Sequence, residues 1–119
     1  LYTSITQSFA QTRNRAVAND LAYSYLRKYA SAGATPTWFT TCDSSTDVTQ
    51  NSNATGQTLT SGTLTSEASG LPSPATYSVK ALAIFGCSGV NHDKPVRVEA
   101  TITYGPSNTI IKHATIVAY

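Results

Sequence analysis

The chain has 119 residues, a mass of 12.6 kDa and a formal net charge of +2, which together allow one small domain with a modest core. Only 12% of the residues are charged, so the composition points to no particular partner. No run of about 20 apolar residues occurs, which excludes a membrane-spanning helix within the chain as given.

The first 32 residues carry the pattern on which the predicted fold depends. Neither proline nor glycine occurs before Gly33, and this predicts one long helix over residues 1–32. At about 100° per residue, seven apolar positions fall within one half of the helix circumference, as expected of a helix that lies on its own domain. They are Val17, Ala18, Leu21, Ala22, Tyr25, Leu26 and Tyr29.

A second apolar stripe lies on the opposite side of this helix, toward its N-terminus. It consists of Leu1, Ile5, Phe9 and Ala16, in line with Tyr23. If these residues are helical, the stripe has no partner within the chain, and such an exposed strip indicates an interface. The alternative is a frayed N-terminal segment with scattered apolar residues. Because the chain begins inside a helical pattern, we expect that an N-terminal segment has been removed from it.

Residues 33–75 are expected to form a variable polar connection after the helix, which ends near Gly33 and Pro36. Of the 33 serines and threonines in the chain, 17 lie between positions 40 and 76. Two short Thr-Leu-Thr segments flank Ser61-Gly62, which predicts a small hairpin over residues 58–65.

Two further features of this connection concern function. Trp38 and Phe39 are expected to be core or lid residues rather than a stacking platform, because no basic residue lies near them. The triplet that begins at Asn53 matches a glycosylation acceptor, but such a triplet arises easily by chance in a segment of this composition.

Three strands are predicted in residues 76–119. The first, over 76–85, places on one face Tyr77, Val79, Ala81, Ala83 and Phe85. The second, over 96–104, alternates between inward-facing apolar residues and outward-facing Arg97, Glu99, Thr101 and Thr103. A turn at 105–108 leads into the last strand, over 109–119.

These patterns predict a single α+β domain over residues 1–119, in which the long N-terminal helix packs on an antiparallel meander of three to four strands. The sheet is placed in residues 76–119. The helix–sheet core is expected to contain Val17, Leu21, Tyr25, Tyr29, Val98 and Ile102.

Cys42 and Cys87 are the only cysteines. Low charge and abundant serine and threonine are typical of secreted proteins, so a disulfide is favoured over two buried thiols in a cytosolic protein. The two positions are 45 residues apart, and closing that loop is worth about 4 kcal/mol in the chain-entropy description. Neither a CxxC pair nor a histidine at zinc spacing is present, so neither a metal site nor a cofactor is expected.

The sequence contains no constellation suited to catalysis. His92 lies in a predicted turn beside Asp93, and His113 lies on the last predicted strand. Neither a GxSxG motif, nor a pair of carboxylates at glycosidase spacing, nor a phosphate-binding glycine pattern occurs. The chain is therefore expected not to be an enzyme and to have no small-molecule substrate.

The chain resembles the soluble part of a type IV pilin in four features. Its helix enters without a start, and one face of that helix matches an antiparallel sheet. The second face of the helix is left apolar, and the disulfide is late in the chain. The related pseudopilins of type II secretion and competence systems share this plan. The resemblance covers the whole chain and rests on architecture, since the leader, the processing site and the membrane half of that family's helix are not in this sequence. The family's disulfide usually brackets the C-terminal region, so Cys42 and Cys87 favour a minor pilin or a divergent lineage as much as a major pilin.

The resemblance implies a structural, non-catalytic subunit of an extracellular pilus or pseudopilus filament, membrane-anchored before assembly, with a role in adhesion, motility or DNA uptake. Leu1, Ile5, Phe9 and Ala16 would then face other pilin subunits in the filament core. Further implied partners are the inner-membrane assembly machinery, and a host-surface ligand or DNA.

Two alternatives to a filament subunit remain open. The first is a secreted adhesive or carbohydrate-binding module that uses the Ser/Thr/Asn-rich loops and Trp38. The second is DNA binding, which would depend on Arg13, Arg15, Arg27, Lys28 and Lys80.

Overall fold

The computed structural model describes residues 2–30, 38–87 and 94–117, and for residues 2–9 it describes the backbone alone. The chain begins with one long helix, α1 (Tyr2–Ala30). Four strands follow, β1 (Gln57–Leu64), β2 (Ala75–Ala83), β3 (Val96–Tyr104) and β4 (Thr109–Val117). A single helical turn, α2 (Ser66–Ser69), lies between β1 and β2.

The four strands form one antiparallel sheet in which each strand pairs with its neighbour in the chain, in the order β1-β2-β3-β4. The expected α+β arrangement of an N-terminal helix and an antiparallel meander is therefore confirmed. The turn at 105–108 is also present, with Gly105 and Asn108 at φ values of 78° and 53°. It pairs Tyr104 with Thr109, and this sets the register of β4 against β3.

Helix α1 covers one face of the sheet and lies mainly against β3 and β4. Ala18, Ala22 and Leu26 are buried there at a spacing of four residues, which places them on one line along the helix. They belong to the same apolar cluster as Val98 and Ile102, which are fully buried on β3. Val17, Leu21, Tyr25 and Tyr29 lie at the edges of this cluster and are half-buried.

Strand β3 is the centre of the core because its burial alternates without interruption. Every second residue from Val96 to Tyr104 is buried, and the residues between them are half-buried on the face away from α1. We call that second face of the sheet the outer face. The alternation is the pattern expected for a strand covered on one side by a helix.

The connecting region contributes a strand to the sheet, so two predictions there are wrong. The sheet does not begin at residue 76, because β1 lies within residues 57–64. Nor do residues 58–65 form a hairpin, since β1 continues through Ser61 and Gly62 and pairs with β2 along its length. Gly62 is needed here for packing rather than for a turn: a Cβ at this position would lie 2.9 Å from the ring of Tyr77.

The first predicted strand, over residues 76–85, is too long at its C-terminal end. Pairing ends at Ala83, opposite Val96, and Phe85 lies beyond the strand with 58% of its surface exposed. The chain turns there at Gly86, whose φ is 89°, and proceeds to the disulfide at Cys87. Leu82 is buried on the outer face because the backbone at Gly56 packs directly on it.

Several predicted features lie outside the described residues. They are the position of Leu1, the helix end at Gly33 and Pro36, the turn at His92 and Asp93, and the chain end at Tyr119. The side chains of Ile5 and Phe9 also lie outside the described part. None of the described helices combines the length and the apolar character needed to cross a membrane.

Candidate functional site

The exposed side of α1 is the first candidate site, because the sequence places the filament interface there. From residue 10 to residue 16 every side chain is exposed except that of Asn14, which is half-buried. Ala16 is exposed, and Tyr23, one heptad further along, exposes 53% of its surface. The guanidinium of Arg27 lies 4.8 Å from the centre of the Tyr23 ring.

The length of α1 exceeds what the sheet can cover. A helix of 29 residues is about 43 Å long, whereas a nine-residue strand spans about 30 Å. The molecule is accordingly elongated, with principal extents of 60 × 28 × 20 Å. Among the described helical side chains, Ala18 is the first that is fully buried, and Asn14 and Val17 before it are half-buried.

A cluster of aromatic residues holds the C-terminal part of α1 on the sheet. Tyr25 stacks on Tyr77 of β2 with ring centres 4.6 Å apart, and Tyr29 meets Trp38 edge to face at 5.4 Å. Burial raises the pKa of Tyr25 and of Tyr29, and the neighbouring Tyr77 adds to both increases. Phe39 is buried in the core and Trp38 is half-buried against it, as expected for core or lid residues.

Gln57 fixes the segment that carries these aromatic residues. Its Oε1 accepts hydrogen bonds from the backbone N–H groups of Thr40 and Thr41, at 2.9 and 2.8 Å. Its Nε2 donates to the carbonyl oxygen of Trp38 at 2.8 Å. No local pattern predicts this role, because a glutamine in a polar segment is ordinarily exposed.

The disulfide between Cys42 and Cys87 is present, with the two Cα atoms 5.7 Å apart. It joins the segment after α1 to the loop between β2 and β3. The residues between Cys42 and β1 lie on the end of β2, where Val48 donates to the carbonyl of Ala83 and Ala83 donates to the carbonyl of Thr46.

Asp47 is a buried carboxylate beside the disulfide, with only 2% of its surface exposed. One of its oxygens accepts from the backbone N–H of Thr49 at 2.9 Å and from the Thr49 hydroxyl at 2.6 Å. The other accepts from the side-chain amide of Gln50 at 3.1 Å. These hydrogen bonds hold the pKa of Asp47 below its usual range despite burial. The bond from the Thr49 hydroxyl has the largest effect, and a further bond from the backbone of Cys87 adds to it.

Cys42, Asp47 and Cys87 are the one group in the described part of the chain whose ligand atoms lie close enough to hold a metal ion. The Sγ atom of Cys87 is 3.7 Å from a carboxylate oxygen of Asp47. Both sulfurs are consumed by the disulfide, so neither can act as a thiolate ligand. The cluster is therefore a structural anchor in the oxidised protein.

Replacing Asp47 with asparagine is expected to lower the free energy of unfolding at pH 7 by about 2 kcal/mol, because the amide cannot accept at both positions. The pKa of Asp47 is lower in the folded protein than in the unfolded chain. Its ionised carboxylate therefore stabilises the fold fully above the pKa of an unfolded aspartate, about 4. This stabilisation is lost as the pH falls through the lower pKa of the folded protein. Urea unfolding at pH 7 and pH 3 should therefore show the two proteins converging at the acidic pH.

The matched control for this change is Asp43→Asn. Asp43 accepts from the backbone and hydroxyl of Ser45 in a similar turn, but it is exposed. We expect a smaller loss of stability for this variant. Equal differences at pH 7 and pH 3 for Asp47→Asn would show that the carboxylate charge has no part in holding the loop.

The structure separates the cations on which DNA binding would depend. Arg13, Arg15, Arg27 and Lys28 are exposed on α1, whereas Lys80 lies on the outer face of the sheet, on the opposite side from the helix. The five residues therefore do not form one patch. Trp38, proposed for carbohydrate binding, lies on the helix side of the sheet against Tyr29.

Of the two histidines, only His113 lies within the described residues. Its Nε2 donates to the side-chain oxygen of Asn19, which joins the inner face of β4 to α1. Asn19 in turn donates to the carbonyl oxygen of Arg15 one helical turn earlier. This arrangement gives His113 a structural contact between helix and sheet.

No protein family matches the chain, and neither a curated protein nor a solved structure matches it. Functional inference therefore depends on the architecture and the side chains described above.

Proposed function

We propose that this chain is the globular domain of a filament subunit of the type IV pilin or pseudopilin class. The feature that carries the proposal is α1, a continuous helix of 29 residues whose described side chains are fully buried only from Ala18 onward. A helix that serves only its own domain has no need for further turns beyond the sheet that it covers. In a filament, those turns pack against other copies of the same helix.

The antiparallel meander supports the same proposal, because it provides the face on which such a helix docks. The disulfide joins the segment after α1 to the loop after β2 and so restrains the loops at one end of the sheet. In this role the domain works without catalysis or a cofactor. Its partners are other subunits, which it contacts through the stripe that includes Ala16, and the membrane assembly machinery before extrusion to the cell surface.

The proposal predicts that the gene upstream of Leu1 encodes a short basic leader that ends in glycine or alanine, followed by about 20 apolar residues. Reading that coding sequence is the first test. A cleavable secretory signal or a different folded domain leading into Leu1 would contradict the filament class.

Ala16→Glu tests the interface directly in the complete gene product, expressed in its native host. A charge on the exposed stripe should reduce incorporation into filaments by about tenfold or more, because it would be desolvated against a neighbouring helix. Immunogold labelling of sheared filaments measures incorporation. Ala68→Glu, on the exposed turn α2, is the matched control and should assemble normally.

A subunit with a correct leader that never enters a filament would overturn the proposal. Equal assembly of the Ala16→Glu and Ala68→Glu variants would instead show that the stripe through Ala16 is not the contact.

A further inference from the structure

The outer face of the sheet carries a groove of about 500 Å³ that the proposed filament contact through α1 does not use. Strands β2, β3 and β4 form its floor, and the loop at Ala54 and Thr55 forms one wall. The groove is partly open to solvent.

The strand register gathers four charged residues in this groove. Lys80 on β2 lies directly opposite Glu99 on β3. Arg97, two residues earlier on the same face of β3, forms an ion pair with Glu99 at 2.9 Å. The ammonium of Lys112 on β4 lies 3.6 Å from the second oxygen of Glu99. Arg97 and Lys112 thus pair with the one carboxylate, and Lys80 lies across from it on the neighbouring strand without an ion pair to it. The four residues give the groove a net charge of +2 at neutral pH.

This positive charge is only partly compensated within the described residues. Glu99 is largely covered, with 16% of its side chain exposed, and it faces both Arg97 and Lys112. Lys80 forms no ion pair with any side chain in the described ranges. The Nε–H of Arg97 is buried without a hydrogen-bond partner among the same residues. An anion in the groove would supply an acceptor to the ammonium of Lys80, which has no ionic partner among the described side chains.

Hydroxyl and aliphatic groups surround these cations. Ser78 lies opposite Thr101 across β2 and β3, and Thr101 lies opposite Lys112 across β3 and β4. Ile110, at the rim, exposes 62% of its surface. Such a surface suits a ligand that carries negative groups, many hydroxyls and patches of C–H, whose hydroxyls can exchange hydrogen bonds with serine and threonine.

The chemistry distinguishes among polyanions. None of the described side chains that line the groove is aromatic, so these residues offer nothing on which bases of a single-stranded nucleic acid could stack. Three cations are also fewer than the roughly 6–10 phosphate contacts typical of a protein bound to a DNA duplex. We propose that the groove binds an acidic polysaccharide, with sulfate or carboxylate groups held by Lys80, Arg97 and Lys112 and sugar hydroxyls held by Ser78 and Thr101.

Isothermal titration at physiological salt tests this proposal with two probes, heparin for sulfate and polygalacturonate for carboxylate. The variant Lys80→Gln/Lys112→Gln removes two charges from the groove. It should weaken binding at least about tenfold and make the salt dependence shallower, since fewer ions are exchanged on binding. The control, Arg13→Gln/Arg15→Gln, removes the same charge from exposed positions of α1 and should change affinity by less than about twofold. Circular dichroism and Tm establish that each variant is folded.

Three results would overturn the proposal. If neither probe binds at physiological salt, the charges only solvate the sheet. Equal weakening by the helix variant would show attraction to overall charge. If duplex DNA or poly-glutamate binds more tightly than both polysaccharides, with the same dependence on Lys80 and Lys112, the groove belongs to another class of ligand. Each readout is independent of filament assembly, so it can fail while the proposed function stands.

Discussion

Replacing Cys42 and Cys87 together with serine is expected to lower the free energy of unfolding by about 4 kcal/mol. The bridge closes a loop of 45 positions, and without it the unfolded chain regains the freedom that this closure removes. For a domain of this size the loss corresponds to a decrease in Tm of roughly 10–20 °C. Thermal unfolding followed by circular dichroism measures it.

The reductant experiment is the control for this prediction. Adding a dithiol reductant should lower the Tm of the parent protein toward that of the double variant and leave the variant unchanged. Because the backbone of Cys87 also donates to Asp47, the two anchors share the same loop. We therefore expect Asp47→Asn to cost a different amount in the variant without the bridge. An unchanged Tm in the double variant would mean that the cross-link does not restrain the unfolded chain.

Some elements of this fold could be predicted because their periodicity is local. The helix stripe follows from 3.6-residue spacing, and it correctly includes Ala18, Ala22 and Leu26. Strand β3 follows from strict alternation between Val96 and Tyr104. In both cases one face meets the core and the other meets solvent, and therefore the sequence itself records the direction of burial.

Strand β1 is not predicted, because its residues show no alternation of apolar and polar side chains that would indicate which face is buried. It consists of threonine, serine, glycine, glutamine and leucine, and its Ser61-Gly62 pair is an ordinary turn signal. The glycine is required by the ring of Tyr77, which belongs to a strand that follows ten residues after β1 ends. Only the register of the two strands brings these residues together, and no local pattern contains it.

The candidate sites also combine features that a local pattern predicts with features that depend on pairing between distant segments. The turn at 105–108 is short enough to fix Lys112 opposite Thr101 from sequence alone. The position of Lys80 opposite Glu99 depends on the long connection that contains Cys87, whose path no pattern sets. Asp47 resembled any other aspartate in a polar loop, and its burial arises from a backbone pairing with Ala83 at the end of β2.

Ala22→Glu is expected to destabilise the domain by at least about 3 kcal/mol, because it would place an unpaired carboxylate in the helix–sheet core. Ala22 has no exposed surface and belongs to the same cluster as Val98 and Ile102. Ala22→Leu should cost less, about 1–3 kcal/mol, since the added atoms are apolar but the site has no room for them. Urea unfolding of the two variants and the parent gives these differences.

Ala16→Glu provides the matched control, with the same substitution six residues earlier on the exposed side of α1. Its free energy of unfolding should change by less than about 0.5 kcal/mol, because the new side chain stays in water and glutamate is a good helix former. Equal stability of the Ala16→Glu and Ala22→Glu variants would mean that α1 does not dock through Ala22. The expected contrast assigns one line of the helix to the fold of this domain, and it leaves the line through Ala16 and Tyr23 available for contact with another chain.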